Sequence, residues 1–128
     1  MRVPRVGILG SGNVLWAYLQ VLDRLIPRGL AAAGPVCSRR RETWDGLRAR
    51  RPQIELVSDV SEVFASGVDI VVIITPPESH AALTSLALEH GKHVVVEKPL
   101  AESLAEAKAL VELAESRGLH LVCAPFIQ

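Results

Sequence analysis

At 128 residues the chain is the length of a single domain, since domains run at about 150 residues. With 14 Lys plus Arg against 14 Asp plus Glu there is no net charge, which removes the broad electrostatic case for a nucleic-acid or anionic-membrane partner. Apolar residues make up 49% and aromatics only 4%, so the core has to be Val, Ile, Leu and Ala, as in buried parallel strands covered by helices, and disorder is excluded.

In chain order, short β-branched runs alternate with segments of helical period, the pattern of βαβ units. Val3 to Leu9 is the first predicted strand. Val14, Leu15, Tyr18, Leu19, Leu22, Leu25 and Ile26 then recur at helical spacing until Pro27 and Gly29 end the helix. Leu30 to Cys37 follows as a strand rich in Ala and Gly. A helix is expected within the arginine-rich stretch from Ser38 to Arg51, and Ile54 to Val57 is a short third strand. Asp59 and Glu62 read as N-cap and capping partner of a brief helix ending near Gly67.

Val68 to Thr75 is apolar at every central position, which argues for a strand covered on both faces. Pro77 to His90 is a helix closed by Gly91, His93 to Glu97 a fifth strand, and Ser103 with Glu106 a capping box that opens a helix ending at Gly118. Leu119 to Ala124 is the sixth strand. Beyond it Pro125, Phe126, Ile127 and Gln128 form an apolar tail with nothing to pack on. These elements predict an α/β, doubly wound parallel sheet of Rossmann type in three αβα layers, with strand order 3-2-1-4-5-6 and ligands beyond the carboxyl ends of the strands.

Cys37 and Cys123 stand far apart in apolar runs without metal spacing, so buried free thiols in a reducing compartment are expected. The N-terminus has no signal-peptide pattern, and no apolar run approaches the roughly 18 residues of a membrane span, so a soluble cytoplasmic protein is expected.

Four segments carry candidate chemistry. Gly10, Ser11, Gly12, Asn13 and Val14 lie between the first strand and first helix, where Gly10 permits a tight turn and Gly12 lets backbone approach a pyrophosphate at the helix N-terminus. Leu15 occupies the place of the pattern's third small residue. The second strand ends in Ser38, Arg39 and Arg40, where an NAD-selective domain carries an acid for the ribose 2′-hydroxyl. A serine followed by arginines suits a 2′-phosphate instead, so NADP(H) is preferred over NAD(H). The alternative is a solvated helix face, because Arg39, Arg40, Arg41, Arg48, Arg50 and Arg51 are 6 of the 14 basic residues.

Thr75, Pro76, Pro77 and His80 begin at the carboxyl end of the fourth strand, beside the expected nicotinamide ribose. His80 reads as a cofactor or substrate contact, or else as an ordinary helix-surface histidine. His90, His93 and His120 have no metal spacing with it, and no metal is assigned. Glu97, Lys98 and Pro99 end the fifth strand as an ionisable pair beside a proline, placed to meet a substrate hydroxyl.

Together these segments resemble the N-terminal domain of the Gfo/Idh/MocA family, named for glucose-fructose oxidoreductase, inositol dehydrogenase and rhizopine catabolism. The matching residues run from Val6 to Asn13, from Thr75 to His80 where the family has TPNxxH, and from Gly91 to Leu100 with its Glu97-Lys98-Pro99. The resemblance implies an NAD(P)-dependent dehydrogenase or reductase acting on a hydroxyl or carbonyl carbon of a sugar, cyclitol or related small molecule. It implies Lys98 as the catalytic group that binds or polarises the reacting oxygen, and Glu97 as a residue orienting Lys98 and the cofactor ribose.

Family members continue into a substrate and oligomerisation domain, which residues 1–128 do not include. The expectation is therefore a single cofactor-binding domain, inactive alone, with homo-oligomers only in a longer protein. The competing class is a non-catalytic Rossmann module that senses NAD(P)H or scaffolds a partner.

Overall fold

The computed structural model describes residues 2–124, so the apolar tail from Pro125 to Gln128 lies outside the described residues. Strands β1 (Arg5–Leu9), β2 (Ala32–Cys37), β3 (Leu56–Val57), β4 (Ile70–Ile73), β5 (His93–Glu97) and β6 (Leu121–Ala124) form one sheet. Between them run helices α1 (Leu15–Leu25), α2 (Trp44–Arg50), α3 (Val60–Phe64), α4 (His80–Glu89) and α5 (Leu104–Ser116). Every pairing is parallel, and the order is β3-β2-β1-β4-β5-β6, as the sequence predicts.

Successive side chains of a strand point to opposite faces, and each face has its own core. On one face Val63 and Phe64 of α3, Ala87 and Leu88 of α4 and Ala114 of α5 pack on Val71, Ile73, Val94 and Val96. On the other, Leu15, Leu19 and Leu22 of α1 and Leu47 of α2 pack on Ile8, Val36 and Val72. Each fully sealed Leu, Ile or Val contributes about 1.5–3 kcal/mol of burial, which makes β1 and β4, apolar towards both layers, the axis of the fold.

Differences from the sequence prediction sit at element ends and in β2. The predicted first, second, third and sixth strands lose two residues at their start and the fourth loses two at each end, although Asp69 N–H to Arg5 O and Ile74 N–H to Leu9 O, both 2.9 Å, continue the ladder past β4. The predicted helix from Pro77 starts with a 3-10 turn, Pro77–Ser79, before α4. In β2, Gly34 and Pro35 together oppose Gly7, because the register moves from Val6↔Ala33 to Ile8↔Val36. This bulge takes up a proline that has no N–H for the ladder.

Asp59 caps α3 through Ser61 N–H (2.9 Å) rather than through Glu62. Ser103 accepts Glu106 N–H (3.1 Å), while the Glu106 carboxylate returns to Glu102 N–H (3.2 Å). Both cysteines are free, but only Cys37 is buried; Cys123, on edge strand β6, is exposed, which corrects the expected burial. Among the described residues no helix is long and apolar enough to cross a membrane.

Candidate functional site

A cleft of about 900 Å³ opens at the carboxyl edge of the sheet over β1, β2 and β4, where an open α/β sheet binds its ligands. Three loops build it. The first follows β1: Gly10 has φ +113°, and a Cβ there would meet the backbone of Ile74 and Thr75 at 3.0 Å. Only glycine fits that turn. Gly12 is different, since a Cβ there would meet nothing within 4 Å, leaving open space against bare backbone on the cleft wall.

Bonds between loops fix the second segment. Gly10 N–H donates to Cys37 O and Ser38 N–H to Val57 O, both 2.9 Å. The Ser11 and Ser38 hydroxyls are 2.8 Å apart, and Trp44 Nε1–H donates to Ser38 O at 3.1 Å. Ser38 is only 2% exposed, so its hydroxyl has a set orientation. Burial pushes the neighbouring Cys37 thiol upward, against a smaller opposing effect of Arg39.

The arginine cluster divides. Arg41 and Arg48 lie over the Trp44 ring at 5.1 and 5.3 Å. Arg50 lies over Trp16 at 3.6 Å, and Arg51 pairs with Asp23 at 2.7 Å. Arg39 and Arg40 instead line the cleft, exposed, their guanidinium groups carrying no hydrogen bond or ion pair among the described residues. Four of the six arginines therefore form the solvated, partly stacked face weighed as the alternative, and two do not.

The third loop runs from Ile74 to Ser79. Thr75, Pro76, Glu78 and Ser79 line the cleft, with Ser79 Oγ 2.6 Å from Thr75 Oγ1 and 2.7 Å from Pro76 O. Helices α1 and α4, which open at these loops, have no side-chain N-cap, as is also true of short α2, whereas α3 and α5 are capped. In α1 the Leu15 and Ala17 N–H groups already donate to Gly12 O and Val14 O, both 3.0 Å, and in α4 the His80 N–H donates to Pro77 O, so what these starts offer an anion is chiefly the positive end of the helix dipole.

Of the predicted contacts, Gly10, Ser11, Gly12, Ser38, Arg39, Arg40, Thr75 and Pro76 are brought together in the cleft. Asn13, Val14 and Pro77 flank it without lining it. Glu97, Lys98 and Pro99 lie one strand further along: β4 and β5 pair Ile73 with Val96, which sets Lys98 level with Thr75.

His80 is neither of the two things expected. Its ring is 1% exposed, and its nitrogens are 2.9 Å from Pro99 O and 2.7 Å from Thr75 O, so it is not a surface residue and has no nitrogen left for a ligand. Glu97 does not pair with Lys98 either. Its carboxylate accepts the Tyr18 hydroxyl at 2.7 Å, while the ion pairs among the described residues are Arg2–Asp69 and Arg51–Asp23. Burial, reinforced by Glu97, holds the Tyr18 hydroxyl well above the usual phenol range.

Sequence reasoning missed Tyr18, which reads as one more apolar position of a helix, and missed Ser79, Glu78, Val60, Ala82 and Leu83 of the cleft wall. Ser79 had a signal, being the hydroxyl one turn after Thr75. Among the described residues no group of three or more His, Cys, Asp and Glu is placed to hold a metal.

A family model described as "Oxidoreductase family, NAD-binding Rossmann fold" matches residues 4–124. Oxidoreductase YdgJ of Escherichia coli is 36% identical over 89% of this chain and 32% of its own length. The scyllo-inositol 2-dehydrogenase (NAD(+)) of Bacillus subtilis is 35% identical over 90% of this chain and 33% of its own length. Among solved structures, GenD2 from gentamicin A biosynthesis, in complex with NAD, superposes with a TM-score of 0.84 at 25% identity, over 97% of this chain and 35% of that one. The chain thus spans about a third of the length of these relatives.

Proposed function

Because the chain belongs to the oxidoreductase family with an NAD-binding Rossmann fold, we propose that its cleft holds a nicotinamide dinucleotide, NADP(H) in preference to NAD(H). The residues present fit such a group. The volume is in the range of small-molecule and cofactor sites. The open space at Gly12 and the uncapped start of α1 suit a pyrophosphate, whose charge an exposed helix N-terminus favours.

The preference rests on one observation: Arg39 and Arg40 line the cleft beside the Ser38 hydroxyl, while the one carboxylate among the lining residues, Glu78, belongs to the loop after β4. Two unpaired guanidinium groups are matched to a phosphate dianion and poorly matched to a ribose hydroxyl. Thr75, Pro76 and Ser79 wall the end nearest β5 and are assigned to the nicotinamide half.

When bound, the nicotinamide supplies a hydride donor or acceptor. Lys98, exposed on the neighbouring strand end, is proposed to bind the reacting oxygen of a hydroxyl or carbonyl substrate, with an ammonium that stabilises negative charge developing there. A polyol or sugar-type substrate agrees with the scyllo-inositol dehydrogenase among the relatives.

Replacing Arg39 and Arg40 by Ala tests the cofactor assignment. Loss of charge-assisted bonds, about 1.5–3 kcal/mol, weakens NADPH about 10- to 100-fold. NADH should change less than about threefold, and equal losses for both cofactors would remove the assignment.

A further inference from the structure

Lys98 is exposed and makes no hydrogen bond or ion pair among the described residues, yet both of its neighbours are held. Before it, Glu97 accepts the hydroxyl of Tyr18, which comes from α1 on one face of the sheet. After it, Pro99 O is 2.9 Å from Nδ1 of His80, which comes from α4 on the other face. Both helices start at the cleft, α1 after the glycine loop and α4 after the Thr75–Ser79 loop, and the second His80 nitrogen reaches Thr75 O on the cleft wall.

We propose that Tyr18 and His80 are positioning residues for Lys98, a two-sided tether that fixes the lysine's backbone relative to the cofactor cleft. This rests on the reading of the cleft and of Lys98 given above.

The chemistry of each tether is suited to that task. Tyr18 keeps its proton, because burial and Glu97 both raise it, so it remains a donor to the carboxylate. At His80 both partners are carbonyl oxygens, so each contact is a hydrogen bond only when its nitrogen carries the proton. The bond that matters for Lys98 is Nδ1–H to Pro99 O. Neither residue lines the cleft itself, although His80 backs its wall at Thr75 O, and their partners Glu97 and Pro99 lie 79 and 19 positions away in sequence, so they act on Lys98 through the fold and not on the ligand.

The test uses the intact 128-residue chain with Tyr18→Phe, His80→Asn and His80→Gln. An Asn amide places its donor near the Nδ1 position and a Gln amide near Nε2, so H80N keeps the Pro99 bond and H80Q loses it. Without cofactor, the Lys98 backbone order parameter should be about 0.85 in the parent and H80N and below about 0.6 in Y18F and H80Q. A merely structural role would lower both His80 variants together.

With NADPH, acetylation of Lys98 is compared with Lys92 and Lys108, the other two lysines. NADPH should slow modification of Lys98 at least about tenfold in the parent and less than about threefold in Y18F, whose NADPH affinity stays within about twofold. A rigid Lys98 in Y18F and H80Q overturns the tether, and Y18F alone decides if the His80 variants do not fold. A parent chain that binds no NADPH overturns the cofactor reading instead, while the cofactor-free relaxation still decides the tether.

Discussion

Between β1 and β2 the carboxyl edge of the sheet is closed by bonds among neighbouring loops. Gly10 N–H reaches Cys37 O, the Ser11 and Ser38 hydroxyls meet, and Trp44 covers Ser38 O. Between β4 and β5 the edge is built the other way: Lys98 stands exposed, and what fixes it arrives from helices on opposite faces. Towards β6 the sheet is barely covered, with Val122 51% exposed. The arginine end of the cleft is thus fixed by this chain's loops, whereas the end assigned to chemistry depends on two long-range contacts and is open to solvent.

The sharpest way to break this comparison is at the two glycines. Gly10→Ala forces a side chain into φ +113° against backbone at 3.0 Å, so it should cost about 1–3 kcal/mol of unfolding free energy in urea melts, and distort the cleft with it. Gly12→Ala meets open space and should leave the urea midpoint unchanged while weakening NADPH at least about tenfold. If both variants behave alike, the glycine loop has no separate binding role.

Next in size is Ser38→Ala, which removes one buried hydroxyl from the Ser11 contact at 2.8 Å. It should cost about 1 kcal/mol by thermal or urea unfolding. No loss at all would mean that the closed end of the edge is not held as described.

The smallest effect is alkaline. Tyr18 is the chain's one tyrosine, and its hydroxyl is held above the ordinary value of 10.0 by burial first and Glu97 second. A raised folded-state value gives stability that is complete below the unfolded value and is lost as pH climbs beyond it. Ultraviolet phenolate absorbance should therefore appear only well above pH 10.0 in the folded chain, and the parent should lose stability relative to Y18F in that range. Titration at the ordinary value would remove the Tyr18–Glu97 bond from the account.

Which of these features could be read in the sequence follows from their range. Strand order, the position of the cleft and half of its wall were legible, because alternating apolar runs and a glycine turn after the first strand are local signals. The bulge in β2 was not, since Gly34 is there for a contact across the sheet: its Cβ would sit 2.7 Å from Val68 Cγ1. His80 was legible as a special residue but not as a buried one, because its partners, Thr75 O and Pro99 O, are backbone atoms that no side-chain pattern announces. Tyr18 fits the apolar period of α1 and carries no mark of a partner 79 positions away.

The central claim is that the cleft takes NADP(H) through Arg39 and Arg40, and the direct measurement is a calorimetric titration of the chain with NADPH and, separately, NADH. The account predicts NADPH tighter by at least about tenfold, with the difference abolished in the Arg39→Ala, Arg40→Ala variant. Tighter binding of NADH, or no binding of either, would contradict it.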